Sequence, residues 1–138
     1  MGLMLDSTIL IAAEKQRFDM PAFFAAHEHE SVFIAAITAS ELLHGVERAS
    51  PALKVRRSQL VEGVLSAIEA IDFDLAVARR HASIWAVLEA AGKMIGAHDL
   101  QIAATALHFG HDLATLNTKE FVRVAGLRLV DTAPFVLK

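Results

Sequence analysis

Apolar positions along the chain fall into short unbroken runs, which suit buried strands, and into stripes at helical spacing. Residues 2–5 (Gly-Leu-Met-Leu) are a first apolar run that stops at Asp6-Ser7-Thr8, three residues suited to helix N-caps, before Ile9-Leu10-Ile11-Ala12-Ala13 resumes. That order predicts a buried strand turning directly into a helix. Residues 19–30 place Pro21 in a helical first turn and carry an apolar stripe through Phe23, Phe24 and Ala26, which predicts a second short helix. Residues 31–37 are β-branched and aromatic, the composition of a second buried strand. Thr38 followed three residues later by Glu41 is a capping-box pattern that restarts a helix.

Pro51 then opens a helical stretch reaching about Ala91, with apolar positions at Leu53, Leu60, Val61, Val64, Leu65 and Ile68. A break at Asp72-Phe73-Asp74 divides it into two helices, the second carrying Val77, Ile84, Trp85 and Leu88, and the two are expected to pack as an antiparallel pair. Residues 92–96 read as a loop. A helix opened by His98 or Asp99 runs through Ile102, Ala103, Ala106 and Leu107 and stops at Gly110, a good C-cap residue. A third strand is expected over 113–116, a turn over 117–121 and a final strand over 127–130. Alternating strands and helices imply an α/β fold around a parallel sheet.

Composition narrows the function classes. A chain of 138 residues has room for one hydrophobic core, and residues 1–138 read as a single domain. Apolar residues make up 54% of it, with only seven Gly and three Pro, which argues against disorder or a linker-dominated chain. The absence of cysteine excludes disulfides, thiolate zinc sites and cysteine nucleophiles, and fits a reducing compartment. The net charge of −3 excludes a protein that coats nucleic acid by bulk positive charge. The start has no basic n-region, and no apolar stretch is long enough to span a bilayer, so the chain reads as soluble and cytoplasmic, without a membrane partner.

The placement of acidic residues against strand ends carries the chemistry. Open α/β sheets bind ligands at the carboxyl ends of their strands. Asp6 follows the first strand, Glu41 lies one helical turn beyond the second, Asp99 starts the helix feeding the third, and Glu120 lies just after it. Four carboxylates in one crevice repel one another unless a cation neutralises them, and an oxygen-only ligand set suits Mg²⁺, with Mn²⁺ as a substitute, rather than zinc. Each acid also has a plainer reading: Asp6 as an N-cap, Glu41 as a capping-box residue, Asp99 as a first-turn dipole partner and Glu120 as a surface acid. The seven histidines, at 27, 29, 44, 81, 98, 108 and 111, show no His-Glu-x-x-His spacing. His44 lies one turn from Glu41 and His98 beside Asp99, where either can orient a carboxylate. Trp85 and most of the eight Phe fall on helical apolar stripes and read as core. Arg48, Lys54, Arg56, Arg57, Arg79 and Arg80 form the basic clusters, read as solvated helix faces or as RNA-backbone contacts.

Four segments taken together resemble a known family: Leu5-Asp6-Ser7-Thr8-Ile9-Leu10-Ile11, Ala39-Ser40-Glu41-Leu42-Leu43-His44-Gly45-Val46-Glu47, Ile95-Gly96-Ala97-His98-Asp99-Leu100-Gln101-Ile102-Ala103 and Thr115-Leu116-Asn117-Thr118-Lys119-Glu120-Phe121. In this order they resemble the four blocks of PIN-domain ribonucleases, most closely the VapC toxins of VapBC toxin–antitoxin modules. The likeness runs from Leu3 to about Val130. It implies a three-layer α/β/α PIN-like fold with a central parallel sheet of four to five short strands. It also implies that Asp6, Glu41, Asp99 and Glu120 are the catalytic, Mg²⁺-binding acids of an endoribonuclease. Ser7, Thr8, Thr115 and Asn117 match polar positions lining the same pocket. Two positions depart from the usual pattern: Thr8 stands where many relatives have Asn, and Asn117 where many PIN domains carry an acid, which weakens a second metal site. The resemblance further implies RNA as substrate, a VapB-type antitoxin that wraps a hydrophobic groove and occludes the pocket, a homodimer and a toxin–antitoxin hetero-oligomer.

The mean hydropathy of +0.44 is high for a small soluble monomer, and the Phe23-Phe24 and 53–68 stripes independently suggest a covered surface. A haloacid-dehalogenase-type phosphatase also places an Asp after strand one but needs a second Asp two residues on, where this chain has Thr8. A catalytically weak PIN-like module that only binds RNA or antitoxin is the remaining alternative. Setting the four acids aside leaves twelve against thirteen bases, so the acidity of the chain is largely that of the proposed metal site.

Overall fold

Gly2–Leu5 is buried along its whole length because it is the strand from which the rest of the sheet is built (β1). It leads through Asp6 into α1 (Ser7–Glu14), followed by α2 (Met20–Ala26), β2 (Ser31–Ala35), α3 (Ala36–Glu47) and α4 (Pro51–Ala67). The chain continues through β3 (Glu69–Ile71), α5 (Leu75–Ala90), α6 (Ala97–Phe109), β4 (Asp112–Ala114), the single turn α7 (Thr118–Phe121) and a 3₁₀ turn at Ala133–Phe135. The structure is a computed structural model that describes residues 2–138.

The four strands are parallel and ordered β3-β2-β1-β4. Side chains alternate across β1, so Leu3 and Leu5 join Ile9, Phe23, Ile34 and Val61 in one layer, while Met4 joins Leu100, Ala103, Leu113 and Phe121 in the other. Each fully buried Leu, Ile or Phe contributes about 1.5–3 kcal/mol, so the two clusters hold helices on both sheet faces. The result is the expected three-layer α/β/α arrangement. The order reverses at β1: the chain steps to β2 and β3 on one side, then crosses back to β4 on the other. The crevice between the carboxyl ends of β1 and β4 is therefore the switch point where such sheets take ligands.

Several expectations need correction. The segment between the two long helices is not a simple break: Glu69–Ile71 pairs with Phe33–Ala35 as the edge strand β3. That strand separates α4 from α5, so the expected antiparallel pair does not form; α4 packs on α3 and α5 on α6. The final strand over 127–130 reduces to a bridge between Leu113 and Leu129, with Leu113 N–H donating to Arg128 O and Val130 N–H to Leu113 O. Helix α3 begins at Ala36, two residues ahead of the proposed capping box, because the extended Ala35 that ends β2 is itself the N-cap; Thr38 is then a fully buried interior residue and not a cap. Trp85 is not core but 47% exposed, and Phe73 and Phe109 are exposed too, whereas Phe18, Phe23 and Phe121 are buried as expected. Helix α6 starts at Ala97, just ahead of His98, and stops as expected at Gly110, whose φ of 70° is the left-handed conformation glycine adopts readily.

Gly2 supplies a test of the packing. A Cβ there would lie 2.8 Å from Phe33 Cε2 and closer still to the His111 ring, which stacks on Phe33 with centroids 4.6 Å apart. Gly2→Ala is expected to lower stability by about 1–3 kcal/mol through overpacking. Chemical denaturation checks it, and an unchanged midpoint would show that the ring pair yields freely.

Candidate active site

Asp6 is placed by two backbone events. Its N–H donates to Ala114 O at 3.1 Å, tying it to the end of β4, and its carboxylate caps α1 by accepting from Thr8 N–H at 3.0 Å. The cap and site readings of Asp6 are thus compatible. The same oxygen also accepts from the Thr8 hydroxyl, and Oδ2 accepts from the Thr115 hydroxyl at 2.6 Å. Thr115 Oγ1 in turn accepts from Asn117 N–H at 2.9 Å, and Thr8 Oγ1 from Leu116 N–H at 3.0 Å, so both hydroxyls are held facing Asp6. Asp6 is buried, which pushes its carboxyl above the ordinary range, while the hydrogen bonds from Thr115 and Thr8 pull part of the way back. Ser7, also proposed for the pocket, is buried in the first turn of α1, and no hydrogen bond from it to Asp6 occurs among the described residues.

Asp99 stands in the first turn of α6, across the switch point, where its Oδ2 accepts from Asn117 Nδ2 at 3.3 Å. Glu120 comes from the short turn α7, which the fully buried Phe121 anchors beneath it, and its Oε2 accepts from Gly96 N–H at 3.4 Å. The two carboxyls interact directly, which favours a proton on Asp99 and a charge on Glu120. Burial, the bond to Glu120 and the charges of Glu120, Asp6 and Glu41 together push Asp99 up to about 7. Glu120 moves down, held first by its bond to Asp99 and then by Gly96 N–H. The charges of the other three expected acids thus converge on Asp99.

Glu41 reaches the crevice from α3. Its Oε2 lies 3.4 Å from His98 Nδ1, so His98 approaches Glu41 rather than its sequence neighbour Asp99, and His44 is exposed. Glu41 Oε1 is buried without a hydrogen-bond partner. Glu41, Gly96, Ala97, His98 and Asp99 line an open cavity of about 390 Å³. Sequence reasoning missed Arg123, whose Nη1 donates to Met94 O at 2.8 Å and whose charge helps lower Glu120. Only its place three residues after Glu120 hinted at this.

These oxygen donors suit a hard divalent cation. Among the described residues no three His, Asp or Glu side chains are drawn together tightly enough to chelate an ion alone. The orphaned Glu41 oxygen leaves an acceptor at the crevice that a hydrated divalent cation could use. Carboxyls crowded until one of them is driven to keep its proton are the arrangement expected where a cation neutralises the charge.

Comparison with known proteins agrees with the geometry. The PIN domain family profile matches residues 3–127. Ribonuclease VapC1 of Rickettsia felis is 33% identical over 131 residues, covering 94% of this chain and 96% of that protein. The tRNA(fMet)-specific endonuclease VapC of Shigella flexneri is 33% identical over 135 residues, covering 93% and 96%. Among solved structures, DNA-bound VapBC of Salmonella typhimurium superposes with a TM-score of 0.84 at 30% identity, covering 94% of this chain and 97% of that one. VapBC2 of Rickettsia felis, bound to a DNA fragment from its promoter, gives 0.84 at 28% identity, covering 94% and 98%.

Proposed function

The chain belongs to the PIN-domain family, among the VapC ribonucleases, and from that premise we propose that it is a Mg²⁺-dependent endoribonuclease, the toxin of a type II toxin–antitoxin module. The observation that carries this reading is the convergence of Asp6, Glu41 and Glu120 on Asp99 at the switch point, which raises Asp99 to about 7. Such a cluster is costly to a fold and useful to phosphodiester hydrolysis.

Asp6 and Asp99 are assigned as the principal Mg²⁺ ligands. Glu41 and Glu120 act through water or take the proton of the attacking water. When bound, Mg²⁺, or Mn²⁺ in its place, supplies a water of lowered pKa and neutralises charge developing on the leaving oxygen. Thr8 and Thr115 fix the Asp6 carboxylate by their hydroxyls, and the Asn117 amide orients Asp99. Because Asp99 and Glu120 titrate as a pair, no single one of them is assigned the proton.

RNA is the proposed substrate, cut within residues 1–138 acting as one domain. The proposed VapB-type antitoxin has a place to bind: Leu10, Met20, Phe24, Leu60, Val64 and Ile68 line an apolar groove of about 590 Å³ between α1, α2 and α4. Exposed Leu53, Val55 and Val87 support the proposed homodimer and hetero-oligomer. Among the described residues no helix is long and apolar enough to cross a membrane.

RNA incubated with the purified protein is expected to be cut in Mg²⁺, spared in EDTA and cut again when Mg²⁺ is restored. Cleavage indifferent to EDTA, or its absence from a folded, antitoxin-free protein, would overturn the reading.

A further inference from the structure

A second pocket lies against the acidic crevice. His81, Trp85, Met94, Ala97 and Gln101 line a cavity of about 200 Å³ between α5 and the start of α6, and Ala97 also lines the crevice of Glu41 and Asp99. One residue thus forms a wall common to both. Trp85 meets His81 edge-on with centroids 5.8 Å apart, and His81 meets Phe73 edge-on at 5.3 Å, so a chain of rings steadies the indole while nearly half of Trp85 remains open to solvent. The core does not need that ring, since Leu88, Ile95 and Leu100 fill the layer beneath it.

We propose that this pocket is a nucleobase subsite, in which an unpaired base of single-stranded RNA stacks on Trp85 while the adjoining phosphate lies across Ala97 in the acidic crevice. The inference rests on the ribonuclease reading above and names how that site holds its substrate. Three features favour RNA over a second copy of the chain. The cavity is small and suits one planar ring system. The Gln101 side chain, half-buried at its wall, offers an amide with both donors and an acceptor to a base edge. Arg123, bonded to Met94 O at the lip and acting on Glu120 beyond it, sets a positive charge along the path an RNA backbone would follow. An apolar helix packed here would desolvate Arg123 and Gln101 without replacing their water. Stacking also predicts position-dependent cleavage, with purines favoured over pyrimidines at the subsite and an abasic position disfavoured most.

Trp85 is the only tryptophan, so its fluorescence reports the pocket directly. A 2′-O-methyl single-stranded RNA titrated in Ca²⁺ buffer is expected to quench it to saturation, while the same backbone without bases leaves it unchanged. In Mg²⁺ cleavage assays Trp85→Ala is expected to raise KM about tenfold with a smaller change in kcat, and Trp85→Phe to keep most of the affinity. Gln101→Ala is expected to alter base preference and gives a second variant should Trp85→Ala fold poorly. Wild-type cleavage combined with unquenched emission and an unchanged KM in Trp85→Ala would overturn the subsite and leave the ribonuclease standing. Emission that follows protein concentration instead of RNA would also overturn it, in favour of a second copy. A wild type that neither binds nor cuts RNA removes both readings together.

Discussion

Asp99→Asn is expected to lower Mg²⁺-dependent RNA cleavage by about a thousandfold or more while leaving the fold intact and the metal-free protein more stable at neutral pH. The loss follows from metal-assisted stabilisation of developing charge, worth several kcal/mol, at about 1.4 kcal/mol for each factor of ten. The gain follows from the same carboxyl. In the unfolded chain Asp99 releases its proton near 3.8, but in the fold only near 7. The folded state therefore binds that proton more tightly, and its contribution, intact below about 4, is lost as pH rises through about 7. Asparagine keeps the shape and an oxygen for the Asn117 amide, and carries no charge to repel Glu120, Asp6 and Glu41. Above neutrality the metal-free variant should consequently melt higher than the metal-free wild type, and the difference should shrink on acidification. Asp6→Asn is a poorer probe. Its carboxylate receives the Thr8 N–H and both the Thr8 and Thr115 hydroxyls, so an amide would turn a donor toward donors and cost about 1–3 kcal/mol of stability as well as activity. Undiminished cleavage by a folded Asp99→Asn protein would remove Asp99 from the proposed ligand set.

How these residues meet was only partly legible in the sequence. Asp6 was readable because the apolar run 2–5, buried on both sides, has to end at a polar residue that can also cap the next helix. The end of α6 was readable because Gly110 breaks the pattern where a left-handed residue is needed. Edge strand β3 was not, because it has three residues, only Ile71 of them buried, and no period can be read over so short a span. Trp85 misled because helical spacing gives the stripe but not its partner: α5 packs on α6, and that contact leaves the indole at the rim. The four acids were found by their order along the chain. What lay beyond the sequence was the pairing itself, Asp99 with Glu120 and Glu41 with His98, because it is set by contacts between elements distant in the chain.

The Asp99–Glu120 pair makes cation binding a proton-releasing event. Below about 7 the two carboxyls hold one proton between them, with Asp99 raised and Glu120 lowered by their shared bond. A divalent cation that takes Asp99 as a ligand has to displace that proton, because ligands bind metal in their deprotonated form. Mg²⁺ or Mn²⁺ affinity should therefore rise about tenfold per pH unit on the acid side and level off above neutrality, a change of about a hundredfold between pH 5 and 7. Calorimetry in two buffers of different ionisation enthalpy reads the released proton directly: close to one per ion near pH 6 and falling toward none near pH 8. Glu120→Gln separates the pair from its surroundings. With the glutamine unable to hold a negative charge against it, Asp99 still feels burial, Asp6 and Glu41 but loses one of its three charged neighbours, so the pH at which affinity levels off should move down. Affinity independent of pH across this range, or a levelling-off point that ignores Glu120→Gln, would show that the shared proton and the cation do not compete for Asp99.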